Sequence, residues 1–267
     1  MNRQLNHLIE MTGLELRVQR RSPIWMISLA LAAVLGYTES FALGLTDWPT
    51  TTQAVRTYQL VCTMILGVMT FLLTAGALAR DLSPRHRDLL LSRPISPWIY
   101  IGGIYCGNCL FALGISLGLL AIFWAIPLFF GQTTLYALQP FMAVWCLAAL
   151  PSILFCGALA VLLMCLSRRL IIALPVFLVY FLGAALFRIP LAWYSEEPAV
   201  DFWDFSMRLY PRGVITHIGA ARLTDLSFAH LLQPPIPELY MRALLYTALS
   251  LALLSLSVLV LKRMRSH

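Results

Sequence analysis

The chain has 267 residues, of which 60% are hydrophobic and only 12% are charged. An ordinary soluble domain carries about twice that charged fraction, so a soluble globular protein is excluded. The formal charge of +7 does not mark a nucleic-acid binder, because the basic residues stand at the ends of apolar runs, where membrane topology places them.

The segment before the first apolar run is too long and too polar for a cleavable signal, and no small-residue cleavage site ends that run. Leu5, Leu8, Ile9, Thr12 and Leu16 recur at helical spacing, with Arg3, Glu10 and Arg17 off their face. This predicts an amphipathic helix over 1–22 lying in the membrane interface. Arg20 and Arg21 stop it, and Ser22 with Pro23 suits the start of a span.

Apolar runs of roughly 20 residues, enough to cross a ~30 Å hydrocarbon core, then follow in series. The first covers about 24–45 and contains Glu39, a candidate pathway residue because a carboxylate inside the membrane is costly. The second covers about 58–79. A polar loop, 80–97, reads RDLSPRHRDLLLSRPISP. The third begins at Trp98 and covers about 98–120 of an apolar run that reaches Phe130, with Pro127 expected to end or kink its outer part. Gly102, Gly103, Gly107, Gly114 and Gly118 along it suit close helix packing. Asn108 reads as an interhelical hydrogen-bonder and as a second pathway candidate.

The fourth run covers about 141–166 and ends at a tight turn, Arg168–Arg169; the fifth covers about 170–187. A long segment, 188–239, is rich in proline, acids and aromatics and predicts short helices at the interface. The sixth run covers about 241–261. The fold expected is all-α: one polytopic transmembrane domain over 1–267, with six membrane helices and an amphipathic N-terminal interfacial helix. Six spans put both termini on one side, which then holds thirteen of the nineteen basic residues; the other side holds eight of the twelve acids. The positive-inside rule puts the termini and the 80–97 loop in the cytoplasm and segment 188–239 outside.

All six cysteines fall in apolar runs, so no disulfide framework is implied, and Cys106 and Cys109 read as small packing residues on one helix face. No Walker-type G-x-x-x-x-G-K-[ST] loop is present; the single lysine, Lys262, follows Leu261 in the tail. None of the five histidines lies in a span, which disfavours an intramembrane serine or metalloprotease.

Within the polar loop, Ser83 is placed to cap a helix and Pro84 to open it, Arg85 to Ser92 make about two turns, and Pro94 stops it. A short rigid helix is thus pinned between two spans, with Leu89, Leu90 and Leu91 apolar and Arg85, Arg87, Asp88 and Arg93 charged. From the residues alone this is either a headgroup-bound turn or an element that passes a push from a cytoplasmic partner into the membrane.

The loop resembles that of the type-2 ATP-binding-cassette (ABC) exporter permeases. The resemblance rests on Asp81, on Arg87 with Asp88, on Leu89 with Leu90, and on Arg93-Pro94-Ile95-Ser96 entering the third span, followed by Tyr100 and Gly103. Arg87-Asp88 and Ile104 stand where the family often has Gly-Thr and a lysine, so the subfamily and substrate are not given. Together with the topology the resemblance covers nearly the whole chain. It implies a permease subunit of an exporter in the bacterial cytoplasmic (inner) membrane. Two permeases, identical or different, pair with two separate ATPase subunits. ATP is bound and hydrolysed on that partner, no cofactor is bound by this chain, and segment 188–239 shapes an outer gate. The residues implied in ATPase coupling are Asp81, Arg85, Arg87, Asp88, Leu89, Leu90 and Arg93. A non-transporting membrane scaffold or assembly factor, sharing the topology without a coupling helix, is the alternative, ahead of an intramembrane enzyme.

Overall fold

The computed structural model describes residues 2–23, 61–82, 96–129, 138–186 and 237–265, together with Met26, Ala30 and Tyr58. Among them there is no strand, and three helices are long and apolar enough to cross a membrane: Pro97–Ala125, Trp145–Ser167 and Ala243–Arg263. The first predicted span with Glu39, loop residues 83–95 and segment 188–236 lie outside the described residues, apart from helical Met26 and Ala30.

In chain order the helices are α1 (Asn2–Arg20), α2 (Gly67–Asp81, led in by the π-helical turn Val61–Leu66) and α3 (Pro97–Phe129). A short α4 (Leu138–Val144) passes through a second π turn, Trp145–Ala149, into α5 (Leu150–Ser167). Helices α6 (Leu170–Leu186) and α7 (Pro237–Arg265) complete the order.

Helix α5 is the hub, packed against α2, α3, α6 and α7. Its residues are apolar or small on every side, which suits a helix enclosed all round; Ile153, Cys156, Gly157, Ala158, Ala160 and Val161 are all buried. Small residues set the spacing. A Cβ at Gly157 would stand 3.0 Å from Cys109 Sγ and 3.2 Å from the Tyr105 ring on α3, and one at Gly67 would stand 3.2 Å from Cys156 Sγ. Cys109 therefore acts as a packing residue, its thiol directed at the Ile153 carbonyl 3.9 Å away. Aromatic pairs hold the outer helices: Phe71 of α2 stacks on Phe177 of α6 at 3.9 Å, and Phe155 of α5 meets Tyr246 of α7 edge-on at 5.5 Å.

Helix α7 buries Tyr246, Ser250, Ser257, Val258 and Leu261 and leaves Leu244, Leu251 and Leu259 exposed, the distribution of an apolar helix with one face on protein. Its hydroxyls return to their own backbone one turn back, as Ser250 does to Tyr246 O at 2.7 Å and Ser257 to Leu253 O at 2.7 Å. That satisfies them where water is scarce.

The turn between α5 and α6 falls at Arg168–Arg169, as the sequence predicts. Arg168 takes the left-handed conformation, φ 56°, and its N–H donates to Met164 O at 2.9 Å, closing α5. Ser96 and Pro97 start α3 as predicted, the Ser96 carbonyl accepting the Tyr100 N–H at 3.1 Å. Helix α3 runs through Pro127 to Phe129, the last residue described before Leu138. Two expectations are corrected. The fourth helix begins at Leu138, with Pro140 inside its first turns, where a missing N–H costs little. Of the five α3 glycines, Gly102, Gly103 and Gly107 receive another helix, whereas Gly114 and Gly118 have no neighbour within 4 Å among the described residues.

Candidate functional site

The helix received is α1. A Cβ at Gly103 would lie 2.6 Å from Met11 Cβ, and one at Gly107 would lie 2.8 Å from Glu15 Cβ and 3.2 Å from the Thr12 carbonyl. The glycines thus form a groove in which the α1 backbone lies against α3. The face of α1 that meets α3 contains Leu8, Met11, Thr12 and Glu15, and Gln19 is buried along with it. The sequence-predicted apolar face overlaps it only in part: Leu8 and Thr12 meet α3 and Leu16 is half-buried, while Leu5 and Ile9 stay exposed. One side of α1 is used for protein packing and the neighbouring apolar stripe is left uncovered.

Glu15 is the residue that sequence reading passed over. Its side chain is 3% exposed and accepts the Gln19 Nε2 hydrogen bond at 2.7 Å and a hydrogen bond from Arg80 Nη2 at 3.3 Å. The spacing Glu15–Gln19, one turn apart on a face shared with Leu8 and Met11, is the sequence signal that marks a polar patch on the packed side.

Arg80, at the end of α2, is forked. Its Nη2 reaches Glu15 and its Nε donates to Asp81 Oδ1 at 3.2 Å. Burial lowers the Arg80 pKa, but the nearby Glu15 and Asp81 carboxylates outweigh it and the net shift is upward, so the guanidinium holds its charge. Asp81 Oδ2 in turn accepts the Tyr100 hydroxyl at 3.0 Å. A continuous chain, Gln19–Glu15–Arg80–Asp81–Tyr100, therefore joins α1, α2 and α3 where α2 departs into residues 83–95 and α3 returns from them. The Asp81–Tyr100 bond ties the two ends of that loop to each other.

Of the sequence-predicted coupling residues, Asp81 is placed in this cluster; Arg85, Arg87, Asp88, Leu89, Leu90 and Arg93 lie outside the described residues, as does the pathway candidate Glu39. Asn108 is fully buried in α3. Its Nδ2 donates to Ile104 O at 2.8 Å within its own helix, rather than across to another, and its Oδ1 finds no partner among the described residues.

A second polar node lies between the two π turns. Trp145 Nε1 donates to Ser116 Oγ at 2.8 Å, and the Tyr58 hydroxyl donates to the Ser116 carbonyl at 3.2 Å. Tyr58 packs between Phe123 and Phe141, both rings 5.9 Å away. π turns displace the helical register and recur where side chains must be aimed. Here Trp145 opens the second π turn and shares Ser116 with Tyr58.

No family model matches this chain, and no curated protein matches it either.

Proposed function

We propose that this chain is the transmembrane subunit of an ABC exporter of the bacterial inner membrane, working as a dimer with a separate ATPase subunit. In this reading six spans place both termini and loop 80–97 in the cytoplasm. Helix α1 rests in the inner interface with Leu5 and Ile9 toward lipid. The loop is the coupling element: its charged residues Arg85, Arg87, Asp88 and Arg93 and its leucines Leu89 and Leu90 seat in the ATPase, which binds and hydrolyses ATP. Glu39 and Asn108 are the pathway candidates of this chain.

The observation that carries the reading is the Asp81–Tyr100 hydrogen bond of 3.0 Å at the loop's root. A headgroup-bound turn has no need of tied ends. An element that transmits force does, because a push on the loop then moves α2 and α3 together rather than bending the loop. The apolar helices support a membrane protein, and the rigid root supports a mechanical one.

The test is a mild-detergent capture of the tagged protein from its native cells, beside a Leu90→Arg variant that still inserts. An ATPase with a P-loop is expected with the parent and at least about tenfold depleted with the variant, since a charge buried in an interface costs more than the ~1.4 kcal/mol that a tenfold loss requires. Absence of such an ATPase from both captures gives the scaffold reading instead.

A further inference from the structure

Building on the transporter reading, we propose that Glu15 and Arg80 tether the amino-terminal helix to the root of the 83–95 loop, so that a displacement of the loop carries α1 with it. Among the described residues, two contacts of helix α1 with the bundle stand out. Against α3 it lies in the glycine groove, a close contact of backbone and alkyl groups. Against α2 it is held by a charged pair, Glu15 Oε2 to Arg80 Nη2 at 3.3 Å, with the carboxylate almost wholly out of water. Arg80 is the branching point, because its Nε simultaneously holds Asp81, and Asp81 holds Tyr100. Any movement of the α2 end must therefore pull on Glu15 or break a bond to a buried carboxylate.

Glu15, Gln19 and Arg80 are positioning residues in this scheme. The device reaches the surface as well: the same helix that Arg80 holds carries the exposed Leu5 and Ile9, so a pull on Glu15 shifts the stripe that faces lipid. The membrane interface next to the transporter is thereby moved in step with the loop.

The tether is read by hydrogen–deuterium exchange of the purified full chain. Glu15→Met/Gln19→Leu replaces the polar partners by apolar groups of similar size, which keeps the packing and removes the acceptor. Exchange in residues 10–20 is expected to rise about fivefold to tenfold while α5 is unchanged, because the opening is local. Arg80→Lys, which keeps the charge but has one nitrogen where Arg80 uses two, is expected to show a smaller rise than the double variant. Unchanged exchange in residues 10–20 of the double variant overturns the tether. Should that variant not fold, seen as faster exchange in α5, Glu15→Gln takes its place with a smaller expected rise, and no rise overturns the proposal.

A second comparison uses the co-purified complex with ATP and orthovanadate. Trapping is expected to alter α1 exchange in the parent and to leave it unaltered in the tether variant, although the ATPase is still bound. A trapped parent whose α1 does not respond overturns the tether and leaves the transporter reading standing. If no ATPase co-purifies, the transporter reading falls, and the exchange of the free protein alone decides the tether.

Discussion

Gly107→Val is expected to detach α1 from the bundle. The new Cβ would stand 2.8 Å from Glu15 Cβ and 3.2 Å from the Thr12 carbonyl, and the latter is backbone that cannot rotate away. Overpacking of this kind costs about 1–3 kcal/mol. Here it also draws Glu15 away from Arg80, which adds the loss of a partly buried ion pair. Thermal denaturation in detergent should fall accordingly, and protease should cut within residues 2–20 before any other helix is lost. Gly114→Val on the same helix is the control: nothing among the described residues lies within 4 Å of that position, so its stability should stay within about 0.5 kcal/mol of the parent. Equal effects at the two glycines would show that the groove does not hold α1.

The second large effect is an asymmetry between the two halves of one ion pair. Arg80→Gln is expected to destabilise the protein by about 2 kcal/mol, and Glu15→Gln by under about 1 kcal/mol. The reason lies in where each partner is left. The Glu15 side chain is 3% exposed, so without the guanidinium its carboxylate stays buried with Gln19 as its remaining partner among the described residues; the Arg80 side chain is 47% exposed and can turn to water and to Asp81. The usual 3–5 kcal/mol for breaking a fully buried pair is reduced here because one end is half in solvent. The double variant Glu15→Gln/Arg80→Gln should recover part of the Arg80→Gln loss, since it leaves no unpaired buried charge. Melting curves of the four proteins decide it: additive losses would show that the two side chains do not act on each other.

These effects bear on function through the loop. If residues 83–95 dock on a motor, the stiffness of their root decides how much of the motor's movement reaches the bundle. Asp81 and Tyr100 fix the distance between α2 and α3 there, and Arg80 adds α1 as a third member. The Ser116 node between the π turns stands farther along α3, toward the opposite end of the bundle. It ties Tyr58 and Trp145 to one helix where Asp81 and Glu15 tie the other end.

Much of the architecture follows from composition and order of residues. Long uncharged runs fix helices, because a backbone without water must satisfy its own hydrogen bonds. The end of α5 at Arg168, the start of α3 at Ser96-Pro97 and the near-full length of α6 were legible for local reasons: capping chemistry, proline and the first polar residues after an apolar run. Asp81 was singled out only through the resemblance, as the acid that opens the loop; its bonds to Arg80 and Tyr100 belong to the tertiary structure.

What the sequence could not decide is which face of an apolar helix meets which neighbour. When nearly every residue is apolar, hydrophobic periodicity carries no direction, and packing is chosen by shape instead. That is why five glycines on α3 looked equivalent while only Gly102, Gly103 and Gly107 accept α1. It is also why the packed face of α1 overlaps its sequence-predicted apolar face only in part. The burial of Glu15 is the clearest case. In the sequence it is one of two acids in a polar segment, beside Glu10; only tertiary packing places it over Gly107, removes it from water and brings Arg80, 65 residues away, to its carboxylate. Local chemistry set the helices and their ends, whereas the connections between them depend on steric fit across distant positions, which no single stretch of the chain contains.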